Sequence, residues 1–344
     1  MIVKKFLAFV VFVIIVAGVG AAVMYRRITQ PYRGYAGAEQ FVDIPTGSGS
    51  SSIGDRLVAG GVIRDRATYR LALWLSGEGR HLEAGEYRFD RAMTPFDVID
   101  KLARGDVYVI HLTLPEGLTI AEMARLFESH GFGPASAFVE AANNAALVRD
   151  FDPAAKDLEG YLFPETYALP RKTDADKLIR MMVARFEHVF TPELRQAAAS
   201  RQLSVRQAVT LASIVERETA RAEERPLVAA AFLNRLKLRM PLQTDPTVIY
   251  ALQRAGAYTG NLRRDDLAFD SPYNTYRYPG LPPGPIASPG RASLDAAVHP
   301  ADADFLYFVS RNDGSHEFAR TLDEHNRNVH KYQVEYFRER REHP

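Results

Sequence analysis

The stretch SVRQAVTLASIVERETA, residues 204–220, organises the rest of this chain. It contains no Gly or Pro, and its apolar residues recur every three or four positions, which predicts a helix with one buried face. Two glutamates, Glu216 and Glu218, stand near its end. A carboxyl drawn into apolar surroundings has a raised pKa, which suits a general acid. Periodicity does not choose between the two, and the alternative is that both mark where the helix meets water.

The composition predicts a globular protein of two or three domains. Its 344 residues are 47% hydrophobic and 25% charged, which is enough apolar material for packed cores. The formal net charge of +1 creates no field for a polyanion, so we expect no nucleic-acid partner. The sequence has no cysteine, which excludes disulfides, thiolate catalysis and cysteine-bound zinc.

The N-terminus holds an uncharged apolar run, FLAFVVFVIIVAGVGAAVMY, at residues 6–25. Its length is about the 20 residues that cross a bilayer, so we predict an uncleaved anchor within residues 1–28. A cleaved signal peptide is the alternative, although its apolar region is usually shorter, roughly 7–15 residues. Basic residues flank the run on both sides, so charge bias does not orient the anchor. The very short N-terminal tail favours a cytoplasmic N-terminus and a protein bulk outside the cytoplasm.

The chain after the anchor divides into further parts. Residues 29–40 are polar and aperiodic, and predict a tether. Residues 41–110 begin with the predicted order strand, helix, helix, strand, and a further helix follows. A strong strand is predicted at residues 107–114, across the end of this part. Residues 111–150 predict a connecting β-α unit. The order of the 41–110 part resembles a LysM-like module, a small fold that binds glycans containing N-acetylglucosamine; a spacer without a ligand is the alternative.

Polar and aromatic clusters follow residue 150. They are DLEGYLFPETY at residues 157–167, QTD at residues 243–245 and SPYNTYRYPGLPPGPIASPG at residues 271–290. Aromatic faces stack on sugar C–H surfaces, and amides bridge hydroxyl and acetamido groups, so these clusters predict saccharide contacts. The candidate substrate-binding residues are Tyr161, Glu165, Gln243, Thr244, Asp245, Tyr273, Asn274 and Tyr276.

Structural roles compete with these assignments. The loop tyrosines could plug the core, and Asp245 could cap a helix that has Pro246 in its first turn. Glu216 could equally form an ion pair with a nearby arginine.

Other signals exclude classes of chemistry. Residues 305–319 predict a β-hairpin around Asn312-Asp313-Gly314. His316, His325 and His330 are interpreted as hydrogen-bonding residues, because no HExxH or comparable spacing accompanies them. The sequence has no G-x-S-x-G elbow, P-loop or dinucleotide fingerprint. We therefore expect no metal and no cofactor.

Six segments in one order then carry a family resemblance. They are LEGYLFPETY, LASIVERET, FLNRLKLRMPLQTDPTVIYAL, SPYNTYRYPGLPPGPIASPG, SLDAAVHP and YFVSRNDGSHEFARTLDEHN. Together they resemble the endolytic murein transglycosylase family, also called MltG or YceG-like, over residues 150–335. The resemblance implies a catalytic domain at residues 151–344. The predicted fold class is α+β: a transmembrane helix, a LysM-like βααβ module and a larger mixed helical and β catalytic domain.

In that family the second glutamate of the E-x-E-T segment is catalytic, so the resemblance implies that Glu218 is the acid, with Glu216 as runner-up. It implies non-hydrolytic cleavage between N-acetylmuramic acid and N-acetylglucosamine within peptidoglycan strands, which leaves 1,6-anhydro ends. One carboxyl can protonate the leaving oxygen and then deprotonate the sugar's own 6-hydroxyl.

The resemblance also implies a cellular location and binding partners. It implies the bacterial inner membrane, with the bulk of the chain on the periplasmic side, peptidoglycan strands as substrate, and peptidoglycan synthases as partners. The alternatives are a non-catalytic glycan-binding scaffold, or a muramidase that hydrolyses the same bond.

Overall fold

The computed structural model describes residues 2–342 as a mixed α/β chain. Its helices are α1 (Ile2–Thr29), α2 (Ser50–Ala59), α3 (Arg66–Ser76), α4 (Pro95–Ala103), α5 (Ile120–Ser129), α6 (Ala135–Ala142), α7 (Ala175–Val189), α8 (Pro192–Ser200), α9 (Val205–Glu218), α10 (Arg225–Lys237), α11 (Asp245–Arg254), α12 (Arg291–Val298), α13 (Leu322–Val329) and α14 (Tyr336–Glu342). Its strands are β1 (Gln40–Ile44), β2 (Gly85–Phe89), β3 (Ile110–Thr113), β4 (Thr166–Leu169), β5 (Tyr307–Ser310) and β6 (His316–Ala319). They form three two-stranded sheets, β1-β2, β3-β4 and β5-β6.

The chain separates into two compact units. The first extends to Ile110 and includes Ala168–Lys172, and the second holds His111–Tyr167 and the residues from Thr173 onward. The division into five parts that the sequence predicts is finer than this and stays a prediction.

The first unit is built on an antiparallel pair of strands. β1 and β2 pair from Gln40 opposite Phe89 to Ile44 opposite Gly85, and α2 and α3 lie between them in the chain. Alternate strand residues, such as Tyr87, point into a core with Leu57 of α2 and Val98 of α4. The predicted order of strand, helix, helix and strand is confirmed. The likeness to a LysM module stays a prediction.

Helix α1 is long and apolar enough to span a membrane. The most apolar 18 residues within Val3–Thr29 have a mean hydropathy of 2.9, and α1 is the only such helix within residues 2–342. By length and composition, a membrane span and a signal sequence are alike. The last turn of α1 is part of the first unit: Ile28 is buried in its core, and Arg27 pairs with Asp65 at 3.1 Å.

Residues 29–40 differ from the tether that their composition predicts. The backbone of Tyr32 forms a bridge with Met93, and Gly34 donates its N–H to the carbonyl of Gly61 at 2.7 Å. The guanidinium of Arg64 lies 4.5 Å from the centre of the Tyr32 ring. The segment is therefore docked on the first unit, because its tyrosine and its backbone groups find partners that a polar composition does not reveal.

The second unit is organised around α9. Eight consecutive residues of α9, Ala208 to Val215, are buried, and the helix packs against α8, α10, α11 and α12. The predicted hairpin is confirmed, with β5 and β6 paired from Tyr307 opposite Ala319 to Ser310 opposite His316. All four residues of its first strand, β5, are half-buried.

The strand predicted at residues 107–114 is shorter in the structure. The ladder of β3 begins only at Ile110. Residues 107–109 are held instead by a turn, in which Val107 donates to the carbonyl of Gly105, and by a bond from Tyr108 to the carbonyl of Glu86. A tight turn after Gly105 thus replaces the first three residues of the strand.

Candidate active site

Glu218 is the last residue of α9. Ser204 caps the start of the helix, since its hydroxyl accepts from the N–H of Gln207 while the Gln207 side chain accepts from the N–H of Ser204. The helix ends because Thr219 is extended, with φ −138° and ψ 134°. The hydroxyl of Thr219 donates to Glu224 at 3.1 Å and so holds the chain where it leaves the helix.

A cleft of about 310 Å³ opens beside the Glu218 side chain. Its lining mixes charged, polar and aromatic groups from several elements: Glu218, Phe232, Arg235, Leu242, Gln243, Asp245, Tyr276, Phe308 and His325. Glu218 is partly buried, and the hydroxyl of Thr244 donates to its Oε2 at 2.7 Å. One carboxylate oxygen is thus held by the protein.

The pKa of Glu218 lies above its usual range. Burial is the largest cause, because it disfavours the charged carboxylate, and the nearby Asp245 acts in the same direction. The hydrogen bond from Thr244 and the positive charges of His316 and Arg235 oppose the rise without cancelling it. A carboxyl with a raised pKa beside a cleft has the property that favours general-acid catalysis.

A strained corner positions the groups opposite Glu218. Gln243 has φ 52°, in the left-handed region that a non-glycine residue rarely adopts. The N–H of Gln243 donates to the carbonyl of Thr275 at 3.2 Å, and the N–H of Thr244 donates to the Thr275 hydroxyl at 3.1 Å. Thr244 itself is buried, so in this structure it orients Glu218. Strain of this kind persists where surrounding bonds over-determine it, often at functional sites.

The 271–290 loop reaches the cleft through Tyr276. Its hydroxyl donates to Asp245 at 2.6 Å, so Gln243, Asp245 and Tyr276 meet in the cleft. Asn274 is fully buried: its amide nitrogen donates to two loop carbonyls, and its oxygen accepts the N–H of Tyr276 at 2.9 Å. Asn274 therefore shapes the loop that carries Tyr276, whereas its amide type predicted a contact with substrate.

Three other candidate residues lie elsewhere in the second unit. Tyr161 is 1% exposed and donates to Asp152, because its ring fills the core and its hydroxyl needs a buried acceptor. Glu165 forms an ion pair with Arg185 at 2.7 Å. Tyr273 lines a separate cavity of about 160 Å³, with its ring 5.0 Å from that of Tyr250. None of these three residues lines the Glu218 cleft.

Glu216, the runner-up acid, has structural partners. Its side chain is 6% exposed, and its Oε1 lies 3.1 Å from Arg225. Its Oε2 accepts the backbone N–H of Gly290 at 2.9 Å. Oε1 is therefore in the ion pair that the sequence analysis gave as the alternative for Glu216, and Oε2 is bonded to the backbone.

Several lining residues were not among the predicted contacts. Arg235 of α10, Phe308 of β5 and His325 of α13 all face the cleft. Phe308 and His325 lie within the quoted family segments, so those segments could have been searched for aromatic and imidazole groups. Within residues 2–342, no three His, Asp or Glu side chains converge in a way that could hold a metal ion.

Comparisons with known proteins give the family. The model of the YceG-like family matches residues 42–331. A Bacillus subtilis protein named endolytic murein transglycosylase is 31% identical over 331 residues, which is 91% of this chain and 91% of that protein. A Streptococcus pneumoniae protein of the same name is 31% identical over 84% of this chain and 57% of its own length.

A crystal structure supports the same assignment. A YceG-like protein from Listeria monocytogenes matches with a TM-score of 0.58 and 31% identity, over 84% of this chain and 98% of that one. This chain belongs to the YceG-like family.

Proposed function

We propose that this protein is an endolytic lytic transglycosylase. It cleaves the β-1,4 bond between N-acetylmuramic acid and N-acetylglucosamine inside peptidoglycan strands, leaves 1,6-anhydro ends, and so limits the length of nascent strands. The observation that carries the proposal is Glu218, a carboxyl with a raised pKa beside a polar and aromatic cleft. The names of the Bacillus and Streptococcus relatives support the same activity.

The geometry supports a mechanism with one catalytic carboxyl. Protonated Glu218 donates its proton to the glycosidic oxygen as the C1–O bond breaks, and the sugar's own 6-hydroxyl forms the new bond to C1. The proton released by that hydroxyl goes to the Glu218 carboxylate, which restores the acid. Thr244 holds Oε2 in place through both proton transfers. No water enters the product, so no second catalytic carboxylate is required.

The choice of Glu218 over Glu216 is tested with a matched pair of variants. Glu218→Gln should abolish the release of soluble fragments from purified peptidoglycan and leave glycan binding intact, because the amide cannot donate a carboxyl proton. Glu216→Gln should retain cleavage. The assignment would be reversed if Glu218→Gln stayed active and Glu216→Gln lost cleavage without a change in its melting temperature. Tyr276, Asp245 and Gln243 stay proposed substrate contacts.

A groove in the first unit supports a second, non-catalytic glycan site, in line with the predicted resemblance to a glycan-binding LysM module. A cavity of about 650 Å³ is lined by Trp74, Tyr69, Arg80 and His81, among others. Trp74 is 77% exposed and is the one tryptophan of the chain. Within the described residues, the buried hydroxyl of Tyr69 has no hydrogen-bond partner. An open indole face near an unpaired buried hydroxyl suits stacking on a sugar.

The single tryptophan makes this site directly measurable. Titrating Glu218→Gln protein with chitotetraose should shift and quench the intrinsic fluorescence, and Trp74→Ala should weaken retention on peptidoglycan in a sedimentation assay. Unchanged fluorescence at saturating sugar would leave the first unit as a spacer.

The anchor and its orientation are part of the proposal. We propose that α1 stays in the mature protein as a single-pass anchor of the inner membrane, with the bulk on the periplasmic side. The support is that the last turn of α1 belongs to the first unit, since cleavage after Ile28 would remove a side chain buried in the core of that unit. Because the chain has no cysteine, Ser200→Cys can be labelled in intact cells by a membrane-impermeant maleimide, and Lys4→Cys should not react. Coupling to peptidoglycan synthases rests on the family resemblance.

A further inference from the structure

His325 lies in the Glu218 cleft and is held there by stacking. Its ring lies against that of Tyr307 on β5, with centroids 5.2 Å apart and planes 23° apart. The guanidinium of Arg235 lies 5.0 Å from the centre of the same tyrosine ring. These contacts fix the imidazole without using its nitrogens.

One ring nitrogen of His325, Nδ1, is buried and has no hydrogen-bond partner within residues 2–342. Other histidines of the chain differ: Nδ1 of His316 contacts Glu224 at 2.7 Å, and Nδ1 of His299 contacts Asp295 at 2.9 Å. Because Nδ1 lies inside the protein without a partner, Nε2 is the ring nitrogen left for a hydrogen-bond partner that enters the cleft.

The charge state and the tautomer follow from the surroundings. Burial, and then the positive charge of Arg235, lower the pKa of His325, so the imidazole is neutral at neutral pH. A neutral ring carries its proton on one nitrogen only. An N–H on Nδ1 would be a buried donor without an acceptor, which proteins avoid more strictly than an unpaired acceptor. The proton therefore resides on Nε2.

We propose that His325 is a substrate-binding residue whose Nε2–H donates a hydrogen bond to an oxygen acceptor of the glycan strand in the Glu218 cleft. The inference rests on the proposed function and adds to it a specific contact. Among the charged and titratable groups around the ring, Arg235 and Tyr307 pack beside it, and Glu218, Asp245 and Tyr276 line the same cleft. Glu218 accepts from Thr244 and Asp245 accepts from Tyr276. Within residues 2–342, no hydrogen bond joins these groups to the imidazole, so its Nε2–H is available to the substrate.

Two variants separate donation from packing. His325→Phe keeps a ring against Tyr307 but has no N–H, and His325→Gln keeps an N–H donor on a side chain of similar reach. Both are made in the Glu218→Gln background, so that the ligand, a tetrasaccharide of alternating N-acetylglucosamine and N-acetylmuramic acid, stays intact. Calorimetry should show about tenfold weaker binding for His325→Phe, the equivalent of about 1.4 kcal/mol. His325→Gln should bind within about threefold of its parent.

A spectroscopic readout needs no His325 variant. In ¹⁵N-histidine-labelled Glu218→Gln protein, the Nε2 signal of His325 should have the shift of a protonated nitrogen in a neutral ring, and should move when the tetrasaccharide binds. Equal affinity of His325→Phe and its parent, or an Nε2 signal that ignores the ligand, would overturn the inference alone. Absence of tetrasaccharide binding by the parent would instead overturn the proposed function, and this inference with it.

Discussion

The hydrogen bond from Thr244 to Glu218 affects how readily the proposed catalytic carboxyl releases its proton. The hydroxyl donates to Oε2 at 2.7 Å, and it favours the charged carboxylate and opposes the rise in the pKa of Glu218. Thr244→Val removes the donor and keeps the shape of the side chain. The carboxylate loses a partner, so the pKa of Glu218 should rise further.

The size of the change follows from the strength of the bond. A hydrogen bond to a charged group contributes about 1.5–3 kcal/mol and one to a neutral group about 1 kcal/mol, so the difference between the two protonation states is roughly 0.5–2 kcal/mol. One pKa unit corresponds to about 1.36 kcal/mol, which gives a rise of about one unit. Cleavage needs protonated Glu218, so the basic limb of the pH profile should move to higher pH by about that amount.

The assay is kcat/KM for release of soluble fragments from peptidoglycan, measured from pH 4 to pH 9 in the wild type and in Thr244→Val. Thr244→Ser, which keeps the hydroxyl, is the matched control and should retain the wild-type limb. A basic limb that stays in place in Thr244→Val, or moves to lower pH, would refute the assignment of that limb to Glu218.

Three further results are expected. Arg225→Met should lower the free energy of unfolding in urea by about 3–5 kcal/mol, because it leaves the buried Glu216 carboxylate without a counter-charge. Adding Glu216→Gln should recover most of this loss. If stability does not recover, the loss came from the packing of the Arg225 side chain. Burial raises the pKa of Glu159 from its ordinary value of 4.5 to about 8. The folded state therefore binds the extra proton between these two values, and the wild type should lose up to about 1.4 kcal/mol of stability per pH unit as the pH rises from 4.5 to about 8. Glu159→Gln should flatten this dependence in thermal melts, and an unchanged slope would exclude Glu159 as its source. Glu218→Gln should raise the melting temperature at neutral pH, because it removes a carboxyl whose burial disfavours ionisation; a lower melting temperature would contradict that cause.

Local patterns predicted the elements well where the signal lies within a few residues. The helix that carries Glu218 was predictable because its apolar period and its Ser204 cap are local, and the hairpin because its turn residues are local. The docking of residues 29–40 was not predictable, since it depends on Met93 and Gly61, far along the chain.

The site was predictable only in part, because the partners of a side chain depend on which distant residues the tertiary structure brings close. Glu216 and Glu218 differ through Arg225 and Thr244, which neither the period nor the composition of α9 reveals. Residue type suggested that Tyr161 and Asn274 contact a sugar, yet both satisfy buried hydrogen bonds in the second unit. The same types of polar and aromatic side chain occur in a buried core and in a binding cleft, and the three-dimensional fold determines where each side chain lies.

The chemistry of the product ends tests the central claim most directly. Purified ectodomain is incubated with uncrosslinked peptidoglycan, and the new ends are analysed by mass spectrometry for the wild type and for Glu218→Gln side by side. We predict ends lighter by one water than hydrolytic ends, formed by the wild type and absent with Glu218→Gln. Ordinary reducing ends would make the protein a muramidase, and strands left intact by the wild type would make it a glycan-binding scaffold; either result would contradict the proposed transglycosylase.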